Sequence, residues 1–386
     1  MATLSGFYGW TDTLKGVYYG PGVIQAALPK LLSTLGGKKA LIVTGKTLYH
    51  KTDVVKTVES ILRTQNAYGA TFYDIGEHSP IAGIRAGVAA FRDNGCDIIV
   101  SVGGGSPIDA SKAILYYIQQ ERGGPMPLQI AVPTTLSAAE YTVGAGFTDE
   151  KGNKTGVMSP ELAPAGIILD AELTLVTPER LWLSTGLRAL DHAVENLYRP
   201  VTPIPLKALA YAAIADLFEY LPKSKADPGS VEVRQKLQIA SWMSLWPLRQ
   251  DEGKFAPLGL SHGLGHKLGA TYGIPHGITS CLTLASVVAL QAQIGSEEDK
   301  QSLAKALFYI QEPSKGDLKR DVLTLASRIH GLVESLGLAS SLEGYKVPKE
   351  DLTKIAAQTV GSEGPLHAKV LGLLNDIYLP GFKVGA

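Results

Sequence analysis

The sequence predicts an α/β domain built on an open, doubly wound, mostly parallel sheet over residues 1–178, followed by an all-helical domain over 179–386. Two observations carry this. In the first part, short unbroken runs of β-branched and aliphatic residues alternate with helical patterns, as in a parallel sheet with helices on both faces. After Val176-Thr177-Pro178-Glu179, whose proline suits a first helical turn, the strand-like runs stop and only long helical patterns remain. A length of 386 residues also suits two domains of ordinary size.

The elements follow in order. Residues 23–35 carry a helical pattern, and 39–44 (KALIVT) form the first continuous apolar strand. A helix over 54–65 leads to a strand over 70–74, and a helix over 81–94 leads to a strand over 97–102. Strands over 129–133 and 166–169 complete the set. Runs that are apolar at nearly every position suit strands covered on both faces. In the second part, helices are expected over 203–220, 231–246 and 320–336. Open sheets take ligands beyond the carboxyl ends of their strands, and pockets favour domain joins. The active site is therefore expected in a cleft between the two parts.

Charge and composition remove several function classes. Lys+Arg and Asp+Glu both number 36, so no net charge draws the chain to nucleic acid or to an anionic membrane. Hydrophobic residues make up 45%, enough for a sizeable core. With Cys96 and Cys281 as the two cysteines, neither a disulfide framework nor a four-thiolate zinc site can form. Both lie beside apolar runs and read as buried thiols, which fits a reducing, cytoplasmic compartment. Residues 1–10 lack the basic-then-apolar order of a secretion signal. No run of about 18 uninterrupted apolar residues marks a membrane span.

The first motif with chemistry in it is Gly103-Gly104-Gly105-Ser106-Pro107-Ile108-Asp109, which leaves a strand and opens a helix. Three glycines let a pyrophosphate approach the backbone closely, and a helix N-terminus offers N–H donors and the positive end of its dipole. Ser106 adds a hydroxyl. The loop follows what the pattern counts as the third strand, so it is not the Rossmann fingerprint of a first strand. A glycine triplet followed by Ser, two residues and Asp resembles the nucleotide loop of the iron-containing alcohol dehydrogenase superfamily, and the resemblance spans nearly the whole chain. It implies a dehydroquinate synthase-like fold and a nicotinamide cofactor held by Gly103, Gly104, Gly105, Ser106 and Asp109.

Other residues extend the resemblance. Pro133-Thr134-Thr135 is similar to the family's Pro-Thr-Thr segment, so the hydroxyls of Thr134 and Thr135 are expected to meet the nucleotide. Ser137 and Glu140 fall on the following small-polar and acidic positions, with Ala138-Ala139-Glu140 where Gly-Ser-Glu is usual. Lys154 matches a lysine placed near the nicotinamide ribose. After the strand over 39–44, the family often carries an Asp that accepts the ribose 2′-OH and repels a 2′-phosphate. Here Gly45 and Lys46 stand in its place. Losing a carboxylate while keeping a cation makes NADPH tolerated or preferred, with dual use also compatible.

Eight histidines occur, and His262, His266 and His276 crowd into residues 261–277. His262 and His266 are four apart and share one helix face. A fourth, His192, follows Arg188 and Asp191. One histidine alone reads as a satisfied core residue; four in two glycine-bearing motifs read as a site. In metal-dependent members of the family, one Asp and three His hold a divalent ion. The resemblance lays the three on His192, His262 and His276, makes His266 a further active-site histidine, and puts Arg188 at the aspartate position. A guanidinium keeps its proton, does not ligate, and repels a divalent ion. Asp191 is a poor replacement, because it points about 100° away from His192 on a helix, and it is expected to pair with Arg188. Two readings stay open: Fe or Zn on three histidines with one open position, or no metal at all.

The maleylacetate reductase branch of the family also lacks that aspartate and is thought to work without metal. The turn Glu77-His78-Ser79-Pro80 resembles its His-x-Pro, although that branch usually lacks the acid kept here as Asp109. The expected function is thus hydride transfer from NAD(P)H to a small carbonyl or keto-enoate, in the manner of a maleylacetate reductase. Arg188, aided by protonated His262 or His276, would take up developing negative charge and bind a substrate carboxylate, His266 would relay a proton, and His192 is counted with them among the catalytic residues. The competing readings are a metal-dependent alcohol dehydrogenase or aldehyde reductase, a lyase on the same fold, and a non-catalytic nucleotide-binding protein. A bland role for Arg188 is a surface or interface salt bridge with Asp191 or Glu195. The expected partners are a small carboxylate-bearing substrate and a second copy of the chain in a homodimer.

Overall fold

The structure is a computed structural model that describes residues 11–76, 79–150, 154–249 and 251–381. Glu77 and His78 of the expected His-x-Pro turn, and the side chain of Lys154, lie outside the described residues. The chain forms two compact units, one of residues 11–177 with 229–242, the other of 178–228 with 243–381.

The first unit runs β1 (Gly16–Tyr19), α1 (Ile24–Leu35), β2 (Ala40–Val43), α2 (Lys46–Lys51), α3 (Val54–Thr64), β3 (Tyr68–Phe72), α4 (Ile81–Asp93), β4 (Ile98–Gly103), α5 (Gly105–Arg122), β5 (Leu128–Pro133), β6 (Gly144–Thr148), β7 (Lys154–Met158) and β8 (Gly166–Leu169). Six strands form one parallel sheet in the order β1-β8-β5-β4-β2-β3, and β6 pairs with β7 as an antiparallel hairpin. Successive strand residues face opposite sides. Accordingly Ala40 and Ile42 pack in one apolar layer with Leu28, Leu31 and Val58, while Leu41 and Val43 pack in another with Ile84, Phe91 and Ile114. Burial on both faces is why these strands read as unbroken apolar runs.

Two parts of this unit differ from the sequence expectation. β1 and the β6–β7 hairpin add strands, and because β1 comes first the glycine loop follows the fourth strand in chain order and not the third. A helix α8 (Val231–Ser244), placed in the second domain by a cut at 178, has residues 231–242 in the first unit. Its polar side chains explain this: Arg234 Nη1 donates to Thr174 O at 2.7 Å, Gln235 Nε2 to Leu169 O at 3.2 Å, and Ser241 Oγ to Leu136 O at 3.2 Å.

The second unit is helical among the described residues. It holds α6 (Glu179–Tyr198), α7 (Ile204–Ala226), α9 (Leu260–Tyr272), α10 (His276–Ile294), α11 (Glu297–Tyr309), α12 (Leu318–Ser335), α13 (Leu352–Val360) and α14 (Pro365–Asp376). α10 is long and apolar enough to cross a membrane, but 83% of its apolar window is buried in the unit, where it packs on α6, α9 and α12. It is a core helix. α6 beside it is buried from Trp182 to Leu197, yet it carries Arg188, Asp191, His192 and Glu195. Burying four ionisable groups on one helix is costly unless they are paired, so their partners locate the site.

Candidate functional site

The glycine loop is a tight cradle. Gly103 has φ +139°, a left-handed value that favours glycine, and its carbonyl accepts from Thr134 N at 2.9 Å. A β-carbon on Gly104 would lie 3.0 Å from Thr135 Cγ2, and one on Gly105 would lie 3.2 Å from Ser137 Oγ. Strand register sets Gly103 opposite Pro133, so the loops after β4 and β5 meet face to face. Thr135 Oγ1 and Ser137 Oγ are 3.0 Å apart. α5 begins at Gly105 without a side-chain cap among the described residues, which leaves its first amides for a ligand. The chain leaves β2 for β3 on one side of the sheet and β4 for β5 on the other, so the loop stands at a topological switch point. Gly103, Gly104, Gly105, Ser106, Thr134, Thr135 and Ser137 are thus brought together.

Asp109 Oδ1 lies 3.5 Å from Lys112 Nζ. Lys112 itself is fully buried and donates to Ala139 O at 2.6 Å, Thr142 Oγ1 at 2.7 Å and Gly144 O at 3.0 Å. It ties α5 to the loop over 139–144, a role the sequence reading did not give it. Burial lowers its pKa, against the raising effect of Asp109 and Glu140. Glu140 is pushed up to about 7, chiefly by burial. Beside Gly45, Lys46 Nζ pairs with Asp74 Oδ1, on the segment after β3, at 2.9 Å.

In the second unit, α6, α9 and α10 assemble the imidazoles. Ring centroids are 4.7 Å apart for His192 and His262, 6.4 Å for His262 and His266, and 5.6 Å for His266 and His276. All four sequence-predicted histidines therefore form one continuous cluster. Arg188 is 2% exposed, which rules out the surface ion pair. Its Nη2 lies 2.8 Å from His276 Nε2, its Nη1 donates to Ser280 Oγ at 3.1 Å, and Nη1 is 3.5 Å from Asp191 Oδ2. A guanidinium only donates, so His276 Nε2 accepts and His276 faces Arg188 in its neutral form. This corrects the expected role of a protonated His276.

Glu195 was missed as a site residue. Its carboxylate accepts from Gly259 N at 2.8 Å, Ser261 N at 2.7 Å, His262 Nδ1 at 2.8 Å and Tyr198 Oη at 3.2 Å. It thereby caps the start of α9 from α6 and puts the hydrogen of His262 on Nδ1. The signal was the spacing 188, 191, 192 and 195, which lies on one helix face. Asp191 accepts from Ser261 Oγ at 2.9 Å and Ser280 Oγ at 2.5 Å. Burial opposes its ionisation, but His262, Arg188 and Ser280 together hold its pKa below the ordinary value. His192 is driven well below the usual range by burial first, then by His262, Arg188 and His276, so its ring is neutral. Among the described residues, Arg188 Nε, His192 Nδ1 and His262 Nε2 are buried atoms without a hydrogen-bond partner, the mark of a place built for a ligand.

Two groupings were tested as metal sites. Asp191, Glu195 and His262 offer ligand atoms within 4.8 Å of one another. Glu195 is taken up by Gly259 N, Ser261 N and His262 Nδ1, and Asp191 Oδ2 by the hydroxyls of Ser261 and Ser280, while Asp191 Oδ1 and His262 Nε2 have no hydrogen-bond partner among the described residues. The trio His192, His262 and His276 would set an ion against the guanidinium that already occupies His276 Nε2. A guanidinium at that position opposes a dication on the three histidines.

Residues 15–171 match the iron-containing alcohol dehydrogenase family, and residues 182–368 match the C-terminal part of the Fe-containing alcohol dehydrogenase family. The chain belongs to this family. Within the family it is similar to the maleylacetate reductases. One from Rhizobium sp. strain MTP-10005 is 35% identical over 173 residues, covering 45% of this chain and 47% of that one. One from Sphingobium indicum is 30% identical over 289 residues, covering 75% and 74%. The chain spans about half the length of the first relative in that match. Among solved structures, a 1,3-propanediol oxidoreductase superposes with a TM-score of 0.85 at 25% identity, over 96% of this chain and all of that one. These neighbours share the α/β-plus-helical fold.

Proposed function

We propose that the chain reduces a small carboxylate-bearing carbonyl or keto-enoate with NAD(P)H, in the manner of a maleylacetate reductase and without a metal ion. The observation that carries this is Arg188: a buried cation, hydrogen-bonded to His276, with an unpartnered Nε, among four imidazoles. Bound NAD(P)H supplies the hydride. The glycine cradle holds its pyrophosphate, with Thr134, Thr135 and Ser137 lining the neighbouring loop and Lys154 following on β7. Hydride arrival at a substrate carbon pushes an electron pair onto oxygen, giving an enolate or alkoxide. Arg188 stabilises that charge and grips a carboxylate through its planar donors. His266, stacked on His276 and adjacent to His262, returns the proton. His192, held neutral by burial, walls the pocket without adding charge.

A second reading, a metal-dependent alcohol dehydrogenase or aldehyde reductase, is favoured by the unpartnered Nδ1 of His192 and Nε2 of His262. The two are separated by following NAD(P)H oxidation at 340 nm over keto-enoates and aldehydes, with and without chelator. Oxidation that prefers acidic substrates and ignores chelator supports the proposal. Loss of activity in chelator, restored by Fe or Zn, favours the second reading. Nucleotide binding without turnover of any carbonyl rejects both.

A further inference from the structure

We infer that Ser280, held by Asp191, is a positioning residue that pins one amino group of Arg188 and so leaves the Nε–Nη2 edge of the guanidinium as the face that takes the substrate's carboxylate. This rests on the carboxylate-binding role proposed above for Arg188. Helix packing brings the three residues together. Where α6 meets α10, a β-carbon on Gly277 would lie 2.6 Å from the backbone of Ser184, so glycine is what permits the approach. Arg188 follows Ser184 by one turn of α6, and His276 and Ser280 stand one turn apart on α10. Residues four apart share a helix face, so the guanidinium meets both.

Chemistry fixes where the hydrogens go. A guanidinium only donates, so Ser280 Oγ accepts from Arg188 Nη1 at 3.1 Å. The single hydroxyl hydrogen of Ser280 is then directed to Asp191 Oδ2, 2.5 Å away. The same carboxylate oxygen accepts from Ser261 Oγ at 2.9 Å and lies 3.5 Å from Arg188 Nη1. Nη1 is thus held by groups that α6, α9 and α10 fix in common, and all of them are buried. α9 also closes this side of the guanidinium. A β-carbon on Gly265 would lie 2.8 Å from Thr279 Oγ1 and 3.4 Å from Arg188 Nη1, which leaves no room for a ligand there.

One edge remains. Nη2 carries two hydrogens and gives one to His276 Nε2 at 2.8 Å. Nε is buried and has no hydrogen-bond partner among the described residues. Nε–H and the second Nη2–H form a two-pronged fork that matches the two oxygens of a carboxylate. A neutral carbonyl has one oxygen and does not engage both prongs. An arginine side chain has many rotamers, and without a hold on Nη1 the fork would swing away from the imidazoles. Fixing a binding group beforehand is what gives it selectivity, since a displacement of about 1 Å costs as much as 100-fold in rate. Ser280 therefore governs the preference for acids over neutral carbonyls without touching the substrate.

The test measures kcat and KM of the full chain for maleylacetate and for propionaldehyde at saturating NAD(P)H. The parent is compared with Ser280→Ala, Arg188→Ala and the double variant. Ser280→Ala should lower the acid-to-aldehyde ratio of kcat/KM by about tenfold, the scale of one hydrogen bond to a charged group, with the loss in KM for the acid. In the double variant that ratio should equal the Arg188→Ala value within about twofold, because no guanidinium is left to position. A serine that merely packs the helices would slow both substrates alike. A Ser280→Ala ratio within about twofold of the parent therefore overturns the inference, as does an undiminished effect of Ser280→Ala once Arg188 is gone. If Arg188→Ala moves the ratio and Ser280→Ala does not, the carboxylate reading of the site stands and the inference alone is lost. If Arg188→Ala leaves the ratio unmoved, or the parent does not turn over the acid, both fall.

Discussion

Replacing Glu195 by Ala removes one carboxylate and orphans four donors. Gly259 N, Ser261 N, His262 Nδ1 and Tyr198 Oη lie 2.8, 2.7, 2.8 and 3.2 Å from its oxygens. A buried donor left unpaired costs about 1–3 kcal/mol. Water entering the vacated space and relaxation of the Tyr198 hydroxyl recover part of this. Losses from breaking one buried charged network run at about 3–5 kcal/mol, and that is the expected drop here. Glu195→Gln should lose less, because one amide oxygen still accepts from the two backbone amides, although its NH2 then faces one former donor. Urea unfolding followed by circular dichroism gives the values from the shift in midpoint at constant slope. A loss below about 1 kcal/mol for the Ala variant would refute the view that Glu195 anchors α9 and His262 to α6.

Other consequences concern the cofactor loop and the thiols. Ala138 is buried at φ +62°, a left-handed conformation, where the family usually carries glycine. Ala138→Gly should raise stability by about 0.5–1 kcal/mol in the same urea assay, since relief of strain exceeds the added chain entropy. Glu140, pushed up to about 7 by burial from 4.5 when unfolded, keeps a proton in the folded state between those values. Raising pH through that window therefore destabilises the parent, and the stability of Glu140→Gln relative to the parent should rise by about 2–3 kcal/mol between pH 4.5 and 7. A flat difference would contradict the assigned burial. Burial pushes Cys96 up to about 11 and Cys281 up to about 12. Neither should react with an aromatic disulfide reagent at pH 8 until the protein is unfolded.

The sequence made the sheet's interior legible and its margins illegible, for a physical reason. β2, β4 and β8 are buried at every position and leave an unbroken apolar signature. β1 is a partly exposed edge strand, and the β6–β7 hairpin is rich in Gly and Thr, so neither stands out from a loop. The allegiance of α8 was invisible because periodicity shows that a helix has partners, not which core supplies them. In the site, the histidines were readable from spacing and the glycine loop from its flanking elements. Glu195 was not, because an acid on a helix looks like surface until its distant partner is known. The Arg188–Asp191 pair was anticipated from i,i+3 spacing, but its burial was not.

The central claim is that a buried guanidinium does the work of a metal ion on an acidic substrate. It is tested most directly by comparing kcat/KM for NAD(P)H oxidation with one keto-enoate acid and one neutral aldehyde, in chelator, for the parent and Arg188→Ala. Because both substrates see the same altered fold, their ratio isolates recognition. The acid should lose about 100-fold more than the aldehyde, the scale of a lost bidentate charge-assisted contact. Equal losses on both substrates, or a parent that chelator silences, would contradict it.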